Sequence, residues 1–282
     1  MSDMLIIGAN GQLGKALQAH YPDAGAVDMD ELNISDAKQV ENYDWSNIKI
    51  VLNAAGYTNV DGAETAEGRI AAWQANASAV ANLARVAQEK GITLVHVSTD
   101  FVFDGSKTTH DENEPFSPLS VYASSKAAGD IAVSLAPNHY VLRSSWVVGD
   151  GKNFVRTMLE IGKKGINPEV VSDQVGRLTF TSELVRAIEH LLKEKCVSGT
   201  YNLSNGGEPA SWADISREIF RLAGYSNTVT GISAEQYAKN KPDAATRPHN
   251  STLSLSKIES TGFSPKDWKE DLKQYIKKEL SQ

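Results

Sequence analysis

The sequence predicts an α/β protein, a doubly wound parallel sheet followed by a smaller C-terminal α/β lobe. Three observations predict it. Short apolar runs alternate with helical patterns from the N-terminus to about residue 163, as in a parallel sheet covered by helices on both faces. The first apolar run leads directly into a turn with three glycines and then a helix. Beyond about Phe154 the strands shorten and mix with helices, which marks a second lobe packed on the first.

The elements follow in order. Met4–Ile7 reads as a buried strand. Gly8-Ala-Asn10-Gly11-Gln12-Leu13-Gly14 follows, and Lys15 to His20 continue as a helix. Strand, glycine turn and helix N-terminus form a Rossmann-type pyrophosphate site, since glycines admit the ligand to the backbone and the helix dipole favours an anion. The spacing is G-x-x-G-x-x-G rather than G-x-G-x-x-G. Gly25–Asp28 is the second strand. Asp28 at its end fits an acceptor for the adenosine ribose hydroxyls, which favours NADH over NADPH, and it also fits a plain turn residue. Lys15 nearby would tolerate a 2′-phosphate, so cofactor preference stays open.

Ile48–Leu52 is the third strand, followed by Asn53-Ala-Ala-Gly56-Tyr57-Thr58. Small residues there leave room for a dinucleotide, and equally make a plain turn. An Ala-rich pattern over Glu64–Lys90 reads as one long helix, with Asp61 and Glu64 compensating its dipole. Ile92–Val97 and Tyr140–Ser144 supply two more strands. Between them, Ser98-Thr99-Asp100 places a hydroxyl at a strand end, and Tyr122-x-x-x-Lys126 places a phenol and an ammonium on one helix face. An ammonium beside a phenol favours the phenolate. A tyrosine tuned that way donates a proton to a carbonyl oxygen near neutral pH. A solitary Y-x-x-x-K fits a solvated helix face; the upstream hydroxyl and glycine turn set this one apart.

In the C-terminal part, Val170–Val171, Gly199–Leu203 and Thr228–Ile232 read as strands, and Ser182–Glu194, Ser211–Leu222 and Lys266–Leu280 as helices. Ser211, three residues before Asp214, is an N-cap pattern. Asn240–Asn250 reads as a long loop of the kind that carries function. Residues 1–153 are therefore expected to form a dinucleotide-binding domain, and residues 154–282 mainly a substrate lobe, possibly with segments returning to the first domain.

Composition narrows the function classes. The chain has 282 residues, 41% of them hydrophobic, ample for a sizeable core. A net charge of −7 without a Lys/Arg run argues against nucleic acid. The single cysteine, Cys196, excludes an intramolecular disulfide framework and a Cys-based zinc site. The six histidines show no metal-ligand spacing. There is no leader pattern and no apolar stretch of about 18 residues, so the expectation is a cytoplasmic protein without a membrane partner.

Taken together, Gly8-x-x-Gly11-x-x-Gly14, Asn53-Ala-Ala-Gly56, Ser98-Thr99-Asp100 and Tyr122-x-x-x-Lys126 resemble the extended short-chain dehydrogenase/reductases. Within them the chain is similar to the dTDP-4-dehydrorhamnose reductase family along nearly its whole length. Thr58-x-Val60-Asp61-x-Ala63-Glu64, Ser98-Thr-Asp-Phe-Val-Phe-Asp-Gly105, Ser145-Trp146-Val147, Asn153-Phe154, Asp173-Gln174-x-Gly176, Gly199-Thr-Tyr-Asn-Leu203 and Arg247-Pro-His-Asn-Ser251 carry that likeness.

The resemblance implies roles. Thr99, Tyr122 and Lys126 would be catalytic. Gly8, Asn10, Gly11, Gln12 and Leu13 would hold the pyrophosphate, and Asp28 the adenosine ribose. Asn33 and Ile34 would lie by the adenine, and Gly56, Tyr57 and Thr58 by the rest of NADPH or NADH, with Tyr122 and Lys126 also at the cofactor. Val60, Thr99, Asp100, Trp146 and Asn153 would face the substrate, a dTDP-linked 4-keto-6-deoxy sugar. Arg247 and Asn250 would meet its diphosphate. The implied reaction is reduction at C4 to dTDP-L-rhamnose, a cell-surface polysaccharide precursor. The family also implies a Mg²⁺ requirement, a possible homodimer and a 3,5-epimerase as pathway neighbour.

Two departures bear on substrate specificity. Leu178 replaces a usual Pro, and Thr246 replaces a second Arg. Phe101 stands where related dehydratases carry a proton-transferring Glu, and Cys196 lies far from the Cys of epimerase–reductases. Simple ketone reduction is the reading that remains. Its rivals are a reductase for another 4-keto-6-deoxy nucleotide sugar, and a non-catalytic regulatory subunit similar to that of methionine adenosyltransferase.

Overall fold

The computed structural model describes residues 3–241 and 243–281, so Pro242 in the predicted loop lies outside them. Six parallel strands form the central sheet, in spatial order Gly199–Leu203, His139–Ser144, Thr93–Thr99, Ile50–Asn53, Met4–Ile7, Gly25–Val27. Each predicted strand of the first domain is present, with ends shifted by one or two residues.

The strands are near-continuous apolar runs because both faces of the sheet are covered. Side chains alternate between faces along each strand. Leu5, Ile7, Val51, Leu94 and Val141 pack with Val40, Val80, Leu83 and Val133 from the helices on one side. Ile6, Leu52, Val95, Leu142 and Leu203 pack with Leu13, Leu17, Leu184 and Ile188 on the other.

The smaller lobe has its own core. Val155, Met158, Ile215, Ile219, Phe220, Trp268, Leu272 and Ile276 come together from the helices Phe154–Lys163, Trp212–Ala223 and Trp268–Leu280. Ser211 and Asp214 form a reciprocal capping box at the start of the second of these. Short strand pairs complete the lobe, among them Glu169–Val171 with Thr230–Ile232.

The lobes are not two consecutive pieces of chain. Gly199–Leu203 is the edge strand of the main sheet, and the helix Thr181–Lys193 lies against Gln12–His20. Residues 181–203 thus belong to the main sheet and its cover, and Leu255, Ile258 and Phe263 pack there as well. The long Ala-rich helix also differs from its predicted form. Its first turn is a separate 3₁₀ turn, Gly62–Glu64, because Thr65 caps the true helix start by accepting from Gly68 N–H. The helix then runs from Ala66 to Lys90 through one π turn, Gln74–Ser78. Among the described residues no helix is long and apolar enough to cross a membrane.

Glu64 does not cap its own helix as predicted. Its Oε1 accepts from the backbone N–H of Val121 at 2.9 Å, at the start of the helix Val121–Val133 that carries Tyr122 and Lys126. Ser120 caps the same end by accepting from Ala123 N–H. Glu64→Ala should therefore lower stability by about 1 kcal/mol, read as a lower urea midpoint, and Glu64→Gln should retain most of it. Equal midpoints for wild type and Glu64→Ala would remove this carboxylate from the account of the helix.

Candidate active site

The sheet order reverses between Met4–Ile7 and Ile50–Asn53, whose following helices pack on opposite faces. In such sheets the crevice at this switch point receives the ligand. The loops that leave the two strands meet there. Gly8 has φ +81°, and a Cβ on it would lie 2.5 Å from Ala55 N. A Cβ on Gly14 would lie 2.1 Å from Gly8 O. Only glycine fits at either position. The helix Gln12–His20 has no side-chain cap, which leaves its first N–H groups for an anion.

A cavity of about 470 Å³ opens at this point, lined by Gly8, Gly11, Asp28, Asn33, Ile34, Gly56 and Tyr57 among others. Seven expected cofactor residues thus share one wall. Asp28 is pinned at the rim, its Oδ2 accepting from Asn10 N–H and its Oδ1 from Met29 N–H, each at 2.8 Å. Each carboxylate oxygen keeps a lone pair for a further donor. Three expected contacts need correction. The Leu13 side chain is buried in the core, so only its backbone is available. Gln12 spends its Oε1 on Gly149 N–H at 2.9 Å. Thr58 is exposed and outside the cavity wall.

Thr99, Tyr122 and Lys126 lie behind the walls of this cavity and a second one, in contact with residues that line them. Thr99 is buried at the end of its strand, its hydroxyl donating to Asp100 Oδ1 at 3.1 Å and accepting from Phe101 N–H. Phe101 lines the second cavity and packs edge-on against the Tyr122 ring, with centroids 5.9 Å apart. Lys126 Nζ donates to Val97 O at 2.7 Å and lies 4.0 Å from where a Cβ on Gly56 would stand.

The electrostatics differ from the expectation. Burial pushes the Tyr122 phenol above its ordinary range, the nearby Thr99 hydroxyl offsets part of that, and Asp100 and Asp130 add to it. Burial brings the Lys126 ammonium down to about 8, against the pull of Asp130. Lys126 therefore does not lower the Tyr122 pKa here. It points at the strand, and the phenol stays protonated, which is the state a proton donor requires.

The second cavity, of about 850 Å³, lies between the sheet and the lobe. Its wall includes Trp146, Phe154, Trp212, Tyr237, Lys241, Arg247 and Ser251. Trp146 has φ +48° and stacks on Trp212 with centroids 3.7 Å apart. Asp100 is buried beside this cavity, near the Ser251 hydroxyl. Arg247 is on the wall, but its Nη2 already donates to Asp61 Oδ1 at 2.7 Å and its Nη1 to Ala245 O.

Other expected substrate contacts do not form. Asn153 is the N-cap of Phe154–Lys163; its Oδ1 accepts from Arg156 N–H, and its Nδ2 donates to Gly149 O, Gly151 O and the Tyr275 hydroxyl. Its N–H groups are taken up within the protein, and only a lone pair on Oδ1 is left. Asn250 donates to Thr108 O and accepts from Thr252 N–H, off the cavity wall. Val60 is also off that wall. Of the two departures in sequence, Leu178 is buried in the core of the lobe, whereas Thr246 lines the cavity. Among the described residues no group of three or more His, Cys, Asp or Glu is placed to hold a metal ion.

Sequence reasoning missed Asn76. This buried residue in the π turn accepts from Tyr57 N–H at 2.8 Å and donates to Tyr57 O and to the Ser125 hydroxyl. It ties the Gly56–Tyr57 loop to the helix of Tyr122. An Asn inside an Ala-rich helix was a usable signal, since Asn disfavours helix interiors. Trp212 was also missed; its partner Trp146 is far away in sequence.

Comparison with known proteins agrees with this geometry. Residues 1–281 match the family described as RmlD substrate binding domain. A dTDP-4-dehydrorhamnose reductase from Aggregatibacter actinomycetemcomitans is 36% identical over 97% of this chain and 98% of its own length. The crystal structure of a dTDP-4-dehydrorhamnose reductase from Clostridium acetobutylicum superposes with TM-score 0.91 at 36% identity, covering 99% of both chains. That of the Bacillus anthracis dTDP-4-dehydrorhamnose reductase, in complex with NADP, gives TM-score 0.90 at 33% identity over 98% of both.

Asp100 supplies a test of the site's electrostatics. Burial raises its carboxyl from 3.8 to about 7, with the Ser251 and Thr99 hydroxyls opposing the rise. Between those two values the unfolded chain has lost this proton and the folded one keeps it, so stability falls as pH rises through that window and levels off above it. Asp100→Asn has no charge to bury. Its stability relative to wild type should therefore increase from pH 4 to pH 8, measured as urea midpoints. A difference that stays constant with pH would show that the carboxyl is not perturbed.

Proposed function

The chain belongs to the RmlD substrate-binding-domain family, and we propose that it reduces the C4 keto group of dTDP-4-dehydro-L-rhamnose to give dTDP-L-rhamnose. The protein is an NAD(P)H-dependent oxidoreductase. The observation that carries the reading is that Tyr122 packs on Phe101 of the aromatic cavity while Lys126, on the same helix, lies next to Gly56 of the glycine-lined crevice. The crevice fits a dinucleotide, because glycine is required at both points of close approach and the helix N-terminus is uncapped.

When bound there, the reduced nicotinamide supplies a hydride to the keto carbon. Thr99 orients the keto oxygen with its hydroxyl. Tyr122, protonated and half-buried, donates its proton to the oxygen as negative charge develops on it. A positioned donor of this kind contributes ~10²–10⁴-fold in rate. Lys126, next to Gly56, would hold the nicotinamide ribose, and Asp28 would accept from the adenosine ribose, with NADH and NADPH both open. Trp146 and Trp212 pack against the sugar nucleotide in the larger cavity, and Arg247 faces its diphosphate. A homodimer, in which a second copy covers the exposed Ile70, Trp73 and Ile131, and a 3,5-epimerase as pathway neighbour belong to this reading.

The direct experiment is oxidation of NADH or NADPH, followed spectrophotometrically, with the epimerised 4-keto substrate. Tyr122→Phe should lower kcat at least about 10²-fold with cofactor affinity nearly unchanged. Activity within a few-fold of wild type would exclude Tyr122 as the donor.

Arg247 is tested together with Asp61. A charge-assisted Arg contact contributes ~1.5–3 kcal/mol, so Arg247→Ala should raise KM for the sugar nucleotide by roughly ten- to a hundredfold. Asp61→Asn, which frees the guanidinium, should leave that KM within a few-fold. If both variants instead lose thermal stability and affinity for both ligands, the pair only fastens the loop to the first domain.

A further inference from the structure

The mechanism leaves one neighbour of Lys126 unused. His96, on the strand Thr93–Thr99, is fully buried, and its Nε2 lies 3.4 Å from Lys126 Nζ. Its Nδ1 lies 3.0 Å from Asn53 Nδ2. The Asn53 amide is oriented by a separate contact, because its Oδ1 accepts from Ala55 N–H at 3.1 Å. A backbone N–H can only donate, so the atom facing Ala55 is the oxygen and the atom facing His96 is the NH₂. That NH₂ has no lone pair to offer, so His96 Nδ1 must accept. A neutral imidazole that accepts at Nδ1 carries its proton on Nε2. This proton faces Lys126.

We infer that His96 is a positioning residue for Lys126, with Asn53 locking its tautomer so that Nε2–H donates to the lysine in its neutral amine form. An ammonium at the same place would set donor against donor. The bond to Val97 O does not discriminate, because amine and ammonium both donate to a carbonyl.

The other groups around Lys126 can be named. Asp130, on the same helix, favours the ammonium, but it is held by Arg143 at 2.9 Å from the strand His139–Ser144. Gly56 adds no charge. Asp100 faces Tyr122, one turn earlier on the helix. Burial alone holds His96 well below its ordinary pKa, and Lys126 lowers it further whenever it is charged, so His96 is neutral beside either form. Lys126 is thus balanced between its two forms near neutral pH. Resting on the reductase reading, the balance sets the charge that Lys126 would present to the nicotinamide ribose hydroxyls.

The test uses the cofactor-free protein and needs no turnover. In ¹⁵N-histidine-labelled protein, His96 should show a protonated Nε2 and an unprotonated Nδ1. In protein labelled at lysine ¹³Cε, Lys126 should titrate near pH 8. His96→Phe and Asn53→Leu should each move that titration up by about one pH unit, a tenfold change in its proton affinity. A proton on Nδ1 in the wild type would overturn the inference, as would an unmoved Lys126 titration in a folded variant. A merely structural His96 would lower thermal stability without shifting the titration. Should both variants fail to fold, the wild-type tautomer alone decides. The predicted spectra in a protein that reduces no 4-keto sugar nucleotide would uphold this inference and sink the proposed reaction.

Discussion

The close approach of two loops at Gly8, Gly14 and Ala55 is the constraint on which the rest depends. Two neighbouring strands send their helices to opposite faces of the sheet, so the chain must part at their ends. The gap stays open because nothing projects into it. Any side chain on Gly8 would meet the Ala55 backbone, and any on Gly14 would meet Gly8 O. The loop after Asn53 is fixed in turn by Asn76, which bonds both the N–H and the carbonyl of Tyr57. A crevice, an uncapped helix end and a wall of small residues therefore arise from one packing requirement.

The reacting groups sit one strand further along the sheet, where low polarity decides their state. Thr99, Lys126, Asp100 and His96 are all buried. In that setting each charge must be paired, perturbed or given up. Asp130 is paired with Arg143; Asp100 is raised toward neutrality; Lys126 is lowered toward it; His96 stays uncharged. The site thus holds several groups poised near their transition between charged and neutral forms, as proton transfer near neutral pH requires.

The second lobe is held to the first by more than a hinge. The edge strand Gly199–Leu203 and the helix Thr181–Lys193 belong to the main sheet and its cover, so chain crosses repeatedly between the lobes. Side chains add to this. Gln12 at the glycine turn accepts from Gly149, and Asp61 beyond the Tyr57 loop accepts from both Ala245 and Arg247. The aromatic cavity is consequently fixed in register with the crevice.

Local patterns were sufficient for the sheet, the glycine turn, the Tyr122/Lys126 pair and the capping box at Ser211, because each depends on residues within a few positions of one another. The sequence by itself therefore determined the fold class and the glycine-lined crevice, and it named the groups that the proposed reaction would use. Tertiary structure decided what depends on distant partners. Asn153 and Asn250 look like ligand residues in sequence, and only packing shows that their amides also bond a helix cap and a loop. Glu64 looks like a cap for its own helix, and only the fold brings it to Val121. The Tyr122–Lys126 spacing suggests mutual tuning, but burial and the arrangement of His96, Asn53 and Val97 turn the lysine toward the strand. Periodicity reports which face a side chain occupies; desolvation and hydrogen-bond partners are set by residues tens of positions away, and those fix its chemistry.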